Sequence, residues 1–368
     1  MTLSYSIIIF EVIKIPNDIN WILYGAYGYT GRLIAKESIK AGLKPVLAGR
    51  NPNKLIPLAK KKNLEYRVFS LKNRKEIIEN IKDFDIIFNA AGPFEITSLP
   101  IVKSCLKTST NYLDITGEIG VFEQNFSFHN EALEKEIVIV SGVGFDVVPS
   151  DCLAKYVSGR IEKPKELEIG IAGMSGFSGG TLKTMLRNLP HGTAMRRNGK
   201  IITAPLGRPQ KEIQFIDKKR NCYALSWGDI STAYRSTKIS NINVYMALPK
   251  AIKYITGPTE PLVRKIFELD AVQNITQSWI SNNIKGPNKK VRQKSSSYLW
   301  AKVQNDNGES YQAWLKTIEA YRLTAVSAVK CVKKVSRNNL KGVLTPSNAF
   351  GEDFILDFPD TMRLDSLD

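Results

Sequence analysis

Long apolar runs are missing from this chain of 368 residues. None approaches the roughly 18 consecutive apolar residues that a membrane span requires, and the best, such as 137–140, have only strand length. No integral membrane segment is expected. Cysteine and histidine are scarce: Cys105, Cys152, Cys222 and Cys331 are scattered, no C-x-x-C pair occurs, and His129 and His191 are the only histidines. Such scatter argues against a metal site and a disulfide framework, and it fits a reducing, cytoplasmic setting. Ser6-Ile7-Ile8-Ile9-Phe10 runs directly into Glu11 without a basic lead, a long apolar core or a cleavage site, so a signal peptide is not expected.

Acidic residues are also in short supply. Against 52 Lys and Arg stand 35 Asp and Glu, a net charge of +17, and the segment 281–342 carries 13 Lys or Arg against 3 acidic residues. A field of this sign attracts phosphates, acyl carriers and acidic proteins, or simply forms a solvated surface that keeps the protein soluble. Nucleic acid is not an expected partner, because no nucleic-acid-binding motif accompanies the charge.

What is present is an ordinary globular composition, 43% hydrophobic and 24% charged, on a chain too long for one comfortable core. From Trp21 onward, short apolar runs alternate with amphipathic stretches, which predicts βα units around a parallel sheet. Strands are expected at 21–24, 44–48, 65–70, 85–89, 112–115 and 137–141, and helices at 30–41, 52–61, 73–81, 98–107 and 121–134. After Pro149 the rhythm breaks. Strand-like 166–172 leads into a Gly/Ser loop at 173–180, and apolar stretches at 223–227 and 242–246 are separated by polar ones. The segment 285–297 reads as an exposed basic loop and 317–335 as a helix with an apolar stripe. A second α/β domain with a mixed sheet is the expectation.

The strongest chemical signal is Tyr24-Gly25-Ala26-Tyr27-Gly28-Tyr29-Thr30-Gly31-Arg32, after the first strand and at the head of the first helix. Gly25 permits a tight turn, Gly28 lets backbone N–H groups approach a pyrophosphate, and Gly31 allows close helix–strand packing. The helix N-terminus then faces the diphosphate with unpaired N–H groups. This context predicts a Rossmann dinucleotide site formed by Gly25, Tyr27, Gly28, Tyr29, Thr30 and Gly31, the alternative being a purely structural turn. The end of the second strand discriminates between cofactors. NAD binders place an acidic residue there for the ribose 2′-hydroxyl, whereas this chain reads Ala48-Gly49-Arg50-Asn51, with Lys54 following. Arg50, supported by Asn51 and Lys54, suits a 2′-phosphate, so NADP is favoured over NAD. After the fourth strand, Ala90, Ala91, Gly92, Pro93 and Phe94 either let a dinucleotide pass close to the backbone or simply end the strand.

Those residues, with the stretches Tyr112-Leu113-Asp114-Ile115-Thr116-Gly117-Glu118, Gly142-Val143-Gly144-Phe145-Asp146 and Gly342-Val343-Leu344-Thr345-Pro346-Ser347, resemble the saccharopine dehydrogenase-like oxidoreductases, a family that includes trans-acting enoyl reductases. The resemblance runs from about 21 to 357. It implies a Rossmann domain at 1–150, a second α/β domain with a mixed sheet at 151–318 for substrate and dimer contacts, and a C-terminal segment at 319–368 returning to the first domain. Residues 1–20 fall outside it, as an extra segment or a misassigned start. It also implies an NAD(P)-linked redox reaction without supplying a substrate.

Hydride transfer asks the protein for orientation, electrostatics and one proton donor at most, so a catalytic triad is not expected. Tyr112, Asp114 and Asp146 are the candidate catalytic residues, because they lie at or beyond the fifth and sixth strands, where such sheets bind ligands. Glu118 and Asp151 share that placement, and capping or turn formation is the alternative for Asp114 and Asp151. The 175–181 loop offers amides for a carboxylate or phosphate, with Lys183 close by, or is only a flexible turn. His191 is a proton donor or an exposed loop residue.

The expected function is that of an NADP(H)-dependent oxidoreductase acting on an enoyl or imine bond of a small or lipid-like substrate. Two alternatives stay open: a trans-acting enoyl reductase on carrier-bound acyl chains, whose acidic carrier suits the basic stretch, and a non-catalytic dinucleotide-binding sensor or scaffold. A homodimer is the expected assembly. The segment 244–255, with Lys250 and Lys253, is a weak amphipathic candidate for peripheral membrane contact.

Overall fold

The computed structural model describes residues 19–248 and 255–367. β1 (Trp21–Tyr24), β2 (Val46–Gly49), β3 (Tyr66–Val68), β4 (Ile86–Asn89), β5 (Asn111–Asp114) and β6 (Val138–Val140) alternate with α1 (Tyr29–Lys40), α2 (Pro52–Lys62), α3 (Arg74–Ile81), α4 (Phe94–Thr108), α5 (Ile119–Phe126) and α6 (His129–Glu134). β1 and β4 are buried along their whole length, as central strands covered on both faces must be. Every pairing in this sheet is parallel, and the order β3-β2-β1-β4-β5-β6 is that of a doubly wound dinucleotide fold. The register sets Ala48, Tyr24, Asn89 and Asp114 side by side at the carboxyl ends of four neighbouring strands. Loops leaving that row are therefore adjacent in space although far apart in sequence.

The helix expected at 121–134 is two helices, because the Ser127 hydroxyl donates back to the Gln124 carbonyl at 2.7 Å and closes the first. α4 begins four residues before the expected start. Its first two N–H groups, of Phe94 and Glu95, donate to the Glu118 carboxylate at 3.0 and 2.7 Å, a cap supplied from another loop.

The chain continues through α7 (Val148–Ser158), β7 (Glu166–Ala172), α8 (Gly179–Asn188), β8 (Thr193–Arg197), β9 (Lys200–Ala204), β10 (Gly207–Gln214), β11 (Lys219–Ala224), α9 (Asp229–Thr237), β12 (Asn241–Ala247), α10 (Glu260–Phe267), α11 (Asp270–Asn283), α12 (Lys289–Lys294), β13 (Ser296–Gln304), β14 (Ser310–Ile318), α13 (Ala320–Val335), β15 (Gly342–Leu344), α14 (Pro346–Phe350) and β16 (Met362–Leu364). These strands build a nine-stranded mixed sheet in which β7 and β12 pair in parallel and the other pairings are antiparallel. One apolar core runs from Leu23 and Phe88 through Val148 and Leu153 of α7 to Ile169 and Leu299, so α7 ties the two sheets together.

Three expectations are corrected here. The basic segment 285–297 is not a plain loop: Asn288 accepts from the Val291 N–H at 3.0 Å and starts α12. The helix expected from 317 starts at Ala320, since Thr317 and Ile318 pair with β13 and the Glu319 carboxylate caps the helix at the Arg322 N–H. The amphipathic reading of 244–255 fails at its start, where Val244 is buried in β12, and 249–254 lie outside the described residues. β15 joins the first sheet beside β6, while β16 returns to the second beside β14. Among the described residues, no helix is long and apolar enough to cross a membrane.

Candidate dinucleotide and substrate site

Gly25 takes a φ of +81°, and a Cβ there would lie 2.8 Å from the backbone of Ala90 and Ala91. The turns after β1 and β4 therefore touch, and glycine is required on both counts. At Gly31 a Cβ would lie 2.3 Å from the Gly25 carbonyl oxygen, so the start of α1 packs against its own approach turn. Gly28 is the N-cap of α1, without a side-chain cap or an acidic residue in the first turn. The N-terminus of α1 thus presents uncapped N–H groups, the donor set that a diphosphate accepts from.

The neighbouring candidates divide by what their side chains do. Arg50 is exposed at the end of β2 and forms no ion pair among the described residues. Asn51 is committed to capping α2 through the Lys54 N–H, and Lys54 is exposed. The Tyr27 ring lies against Gly49, where a Cβ would come within 2.5 Å of it. Tyr29 reaches away from the turn: its hydroxyl donates to the Pro287 carbonyl at 2.6 Å and accepts from Arg292 at 2.9 Å, and its ring meets Tyr321 edge-on at 5.0 Å. Only its backbone, like that of Thr30, stays at the helix N-terminus. Ala90 to Phe94 form the β4–α4 turn, held by Asn89, whose side chain accepts from the Ala91 N–H and donates to Thr97.

Next to this turn is a cavity of about 330 Å³ between the two sheets. Pro93, Gly117 and Glu118 line it from the carboxyl edge of the first sheet, and Thr184, Arg187 and His191 from the second. Arg187 of α8 and Glu95 of α4 form an ion pair across it. Among the described residues, no cluster of His, Cys, Asp or Glu could hold a metal ion.

Comparison with known proteins bears on the first sheet directly: residues 21–140 match the model of the saccharopine dehydrogenase NADP binding domain. The first sheet, up to β6, is thus similar to a saccharopine dehydrogenase NADP-binding domain. This is the family that the sequence motifs resemble, and the cofactor is the one expected from Arg50. A saccharopine dehydrogenase-like oxidoreductase of Bos taurus is 24% identical over 160 residues, 38% of this chain and 37% of that protein. A candidate trans-acting enoyl reductase of Mycobacterium tuberculosis is 28% identical over 188 residues, 47% of this chain and 45% of that protein. The matched stretches thus span less than half of these relatives. The fold as a whole is shared with apo saccharopine dehydrogenase (L-Glu forming) of Saccharomyces cerevisiae, at a TM-score of 0.58 and 12% identity, over 92% of this chain and 96% of that one.

At the carboxyl edge of the first sheet the candidate carboxylates separate sharply. Tyr112 and Asp114 are wholly buried. Asp114 accepts from the Tyr112 hydroxyl at 2.9 Å, from Ser141 at 3.1 Å, and from the Thr116 and Gly142 N–H groups at 3.0 and 2.9 Å. Burial raises its pKa against those four donors. Asp151 is equally buried and joins α7 to Ser236 and to the Ser347 N–H. Glu118 is occupied in capping α4, and burial raises its carboxyl too.

Asp146 differs from all of these. It is partly exposed, its carboxylate has no hydrogen bond or ion pair among the described residues, and a Cβ on the cavity-lining Gly117 would lie 3.0 Å from its Oδ2. Burial, with the Glu118 charge adding, pushes its pKa up to about 7. The Trp227 indole N–H donates to its main-chain carbonyl at 2.7 Å and fixes the loop.

In the second half, the Ser178 amide of the 175–181 loop is taken by the Tyr321 hydroxyl, and Ser175 donates to Glu319 at 2.6 Å. The loop is held by α13 rather than free to wrap an anion. Lys183 is the fifth residue of α8, in its second turn, and His191 is exposed at the cavity. Sequence reasoning missed the Glu95–Arg187 pair and the Tyr29 bridge. Neither leaves a local signal, because the partners lie 92 and 258 residues apart.

Proposed function

We propose that this protein is an NADP(H)-dependent oxidoreductase acting on a small or lipid-like substrate in the cavity between the turns after β4 and β5 and helix α8. One observation carries the reading: the uncapped glycine turn, the free Arg50 and the cavity adjoin along one sheet edge, at its topological switch point. The N–H groups of Tyr29, Thr30 and Gly31 hold the diphosphate, with Gly25 and Gly28 giving it room. Arg50, with Lys54 beside it, holds the 2′-phosphate, and Asn51 sets the start of α2. Ala90 to Phe94 let the dinucleotide cross the sheet toward Gly117, and Tyr27 walls the turn on the Gly49 side. When bound, NADP(H) supplies or accepts a hydride.

Asp146 carries the proton. A carboxyl titrating near neutrality and free of hydrogen-bond partners can give a proton to substrate or take one back. Tyr112 and Asp114 are positioning residues that fix the backbone between β5 and β6, and so the Gly117–Asp146 contact. In this division of labour 1–150 holds the cofactor, 151–318 walls the substrate, and 319–368 braces both. Similarity to the mycobacterial enoyl reductase candidate favours a second version, in which the substrate is a carrier-bound enoyl chain. NADPH consumption followed by absorbance over a panel of enoyl and imine substrates tests both. The expected result is turnover of one class that collapses in Asp146→Asn. Tight NADPH binding with no turnover of any class would leave a sensor in place of an enzyme.

A further inference from the structure

Among the large apolar side chains that the fold leaves exposed, five fall within α10, α11 and the two residues joining them. Leu262 and Ile266 on α10 are 61% and 42% exposed, Leu269 between the helices 57%, and Ile275 and Trp279 on α11 71% and 58%. Leu262 and Ile266, and again Ile275 and Trp279, are four residues apart, so each helix turns an apolar pair to solvent. Scattered exposed hydrophobics need no explanation, but a run of this density on consecutive helices does.

Charge identifies the occupant. Lys265 on α10 and Lys285, Lys289 and Lys290 just beyond α11 are exposed and in no ion pair among the described residues, and they outnumber the exposed Glu268 and Asp270 that flank Leu269. A second copy of a chain carrying +17 would bring like charges together, whereas an anionic surface would neutralise them. With 8 and 14 residues, the two helices are too short to span a bilayer and suit its interface, where apolar side chains enter the acyl boundary, Trp sits at the headgroups and Lys pairs with lipid phosphate.

From this we infer that α10 and α11 form a docking element for an anionic phospholipid bilayer. The element is fastened to the cavity wall: Arg264 donates to the Pro190 carbonyl at 2.8 Å and Gln273 to the Leu186 carbonyl at 3.1 Å, flanking the cavity-lining Arg187 and His191. Docking would therefore hold the substrate cavity close to the lipid surface, a suitable place to meet a lipid-like substrate.

The test uses the full chain and vesicles of phosphatidylcholine, alone or mixed with phosphatidylglycerol. Trp21, Trp227, Trp300 and Trp314 are buried, so Trp279 is the tryptophan whose emission should blue-shift and whose acrylamide quenching should fall on binding. The expected result is cosedimentation with the anionic vesicles only, weakened by added salt and by about tenfold or more in the Leu269→Asp/Ile275→Asp double variant. Ile96→Asp, at an exposed apolar site on α4, should leave partitioning unchanged. Retained NADPH affinity shows that the double variant is folded. Failure of wild type to bind anionic vesicles, binding unaffected by the double variant, or a wild-type dimer that the double variant splits without any vesicle binding would each overturn the proposal. None of these readouts depends on redox turnover.

Discussion

Asp146 is where chemistry and stability pull against each other. A carboxyl whose folded pKa is raised binds its proton more tightly folded than unfolded, so the native state is favoured at low pH and loses stability as pH climbs from the ordinary carboxylate range through about 7. Asp146→Asn removes that loss. Its melting temperature should exceed that of wild type at pH 8, with the gap closing toward pH 4, while turnover falls by about 10² to 10⁴-fold and loses its pH limb near neutrality. Parallel melting curves and pH–rate profiles check both halves. The sequence offered Tyr112, Asp114 and Asp146 on equal terms, because all three lie at or beyond strand ends. What separates them is solvent access and hydrogen-bond supply. Ser141 and the Gly142 N–H reach Asp114 from 27 and 28 residues away, and nothing local announces that. Arg50 was legible because its role depends on position in a strand–turn–helix unit and on an acidic residue being absent there.

At the level of elements, close contacts between backbones carry the strongest consequences. Gly31→Ala would press a Cβ onto the Gly25 carbonyl and the Ala26 backbone, with no flexible side chain to yield. A loss of about 1–3 kcal/mol in denaturant unfolding, together with loss of NADPH binding, is expected. Gly120→Ala meets open space in the first turn of α5 and should stay within about 0.5 kcal/mol of wild type. Tyr29→Phe removes the hydroxyl that the Pro287 carbonyl and Arg292 share while leaving those two bonded to each other, and should cost about 0.5–1.5 kcal/mol, read as a lower denaturant midpoint and faster amide exchange in α12. The six parallel strands were legible to within a few residues, since apolar runs bounded by turn residues record burial directly. Starts of α4 and α12 were not. The first depends on a cap donated by Glu118, and the second lies in a polar stretch whose one local signal, Asn288 at the cap, does not outweigh its lack of an apolar stripe.

For the molecule as a whole, two sheets sharing one core through α7 create the cleft, and the carboxyl edge of the first sheet supplies its floor. The division into a parallel sheet and a mixed one followed from the change of rhythm after Pro149. The cleft itself did not, because it is formed by residues such as Glu95 and Arg187 that meet only once both sheets have folded. The central claim is an NADP site built on the glycine turn and Arg50, and a fluorescence titration of the folded protein with NADPH and NADH, repeated on Arg50→Ala, tests it most directly. Wild type should bind NADPH at least about tenfold more tightly than NADH, and Arg50→Ala should lose about 1.5–3 kcal/mol toward NADPH with NADH binding unchanged. A folded protein that binds neither nucleotide, or a preference for NADPH that survives Arg50→Ala, would contradict the account.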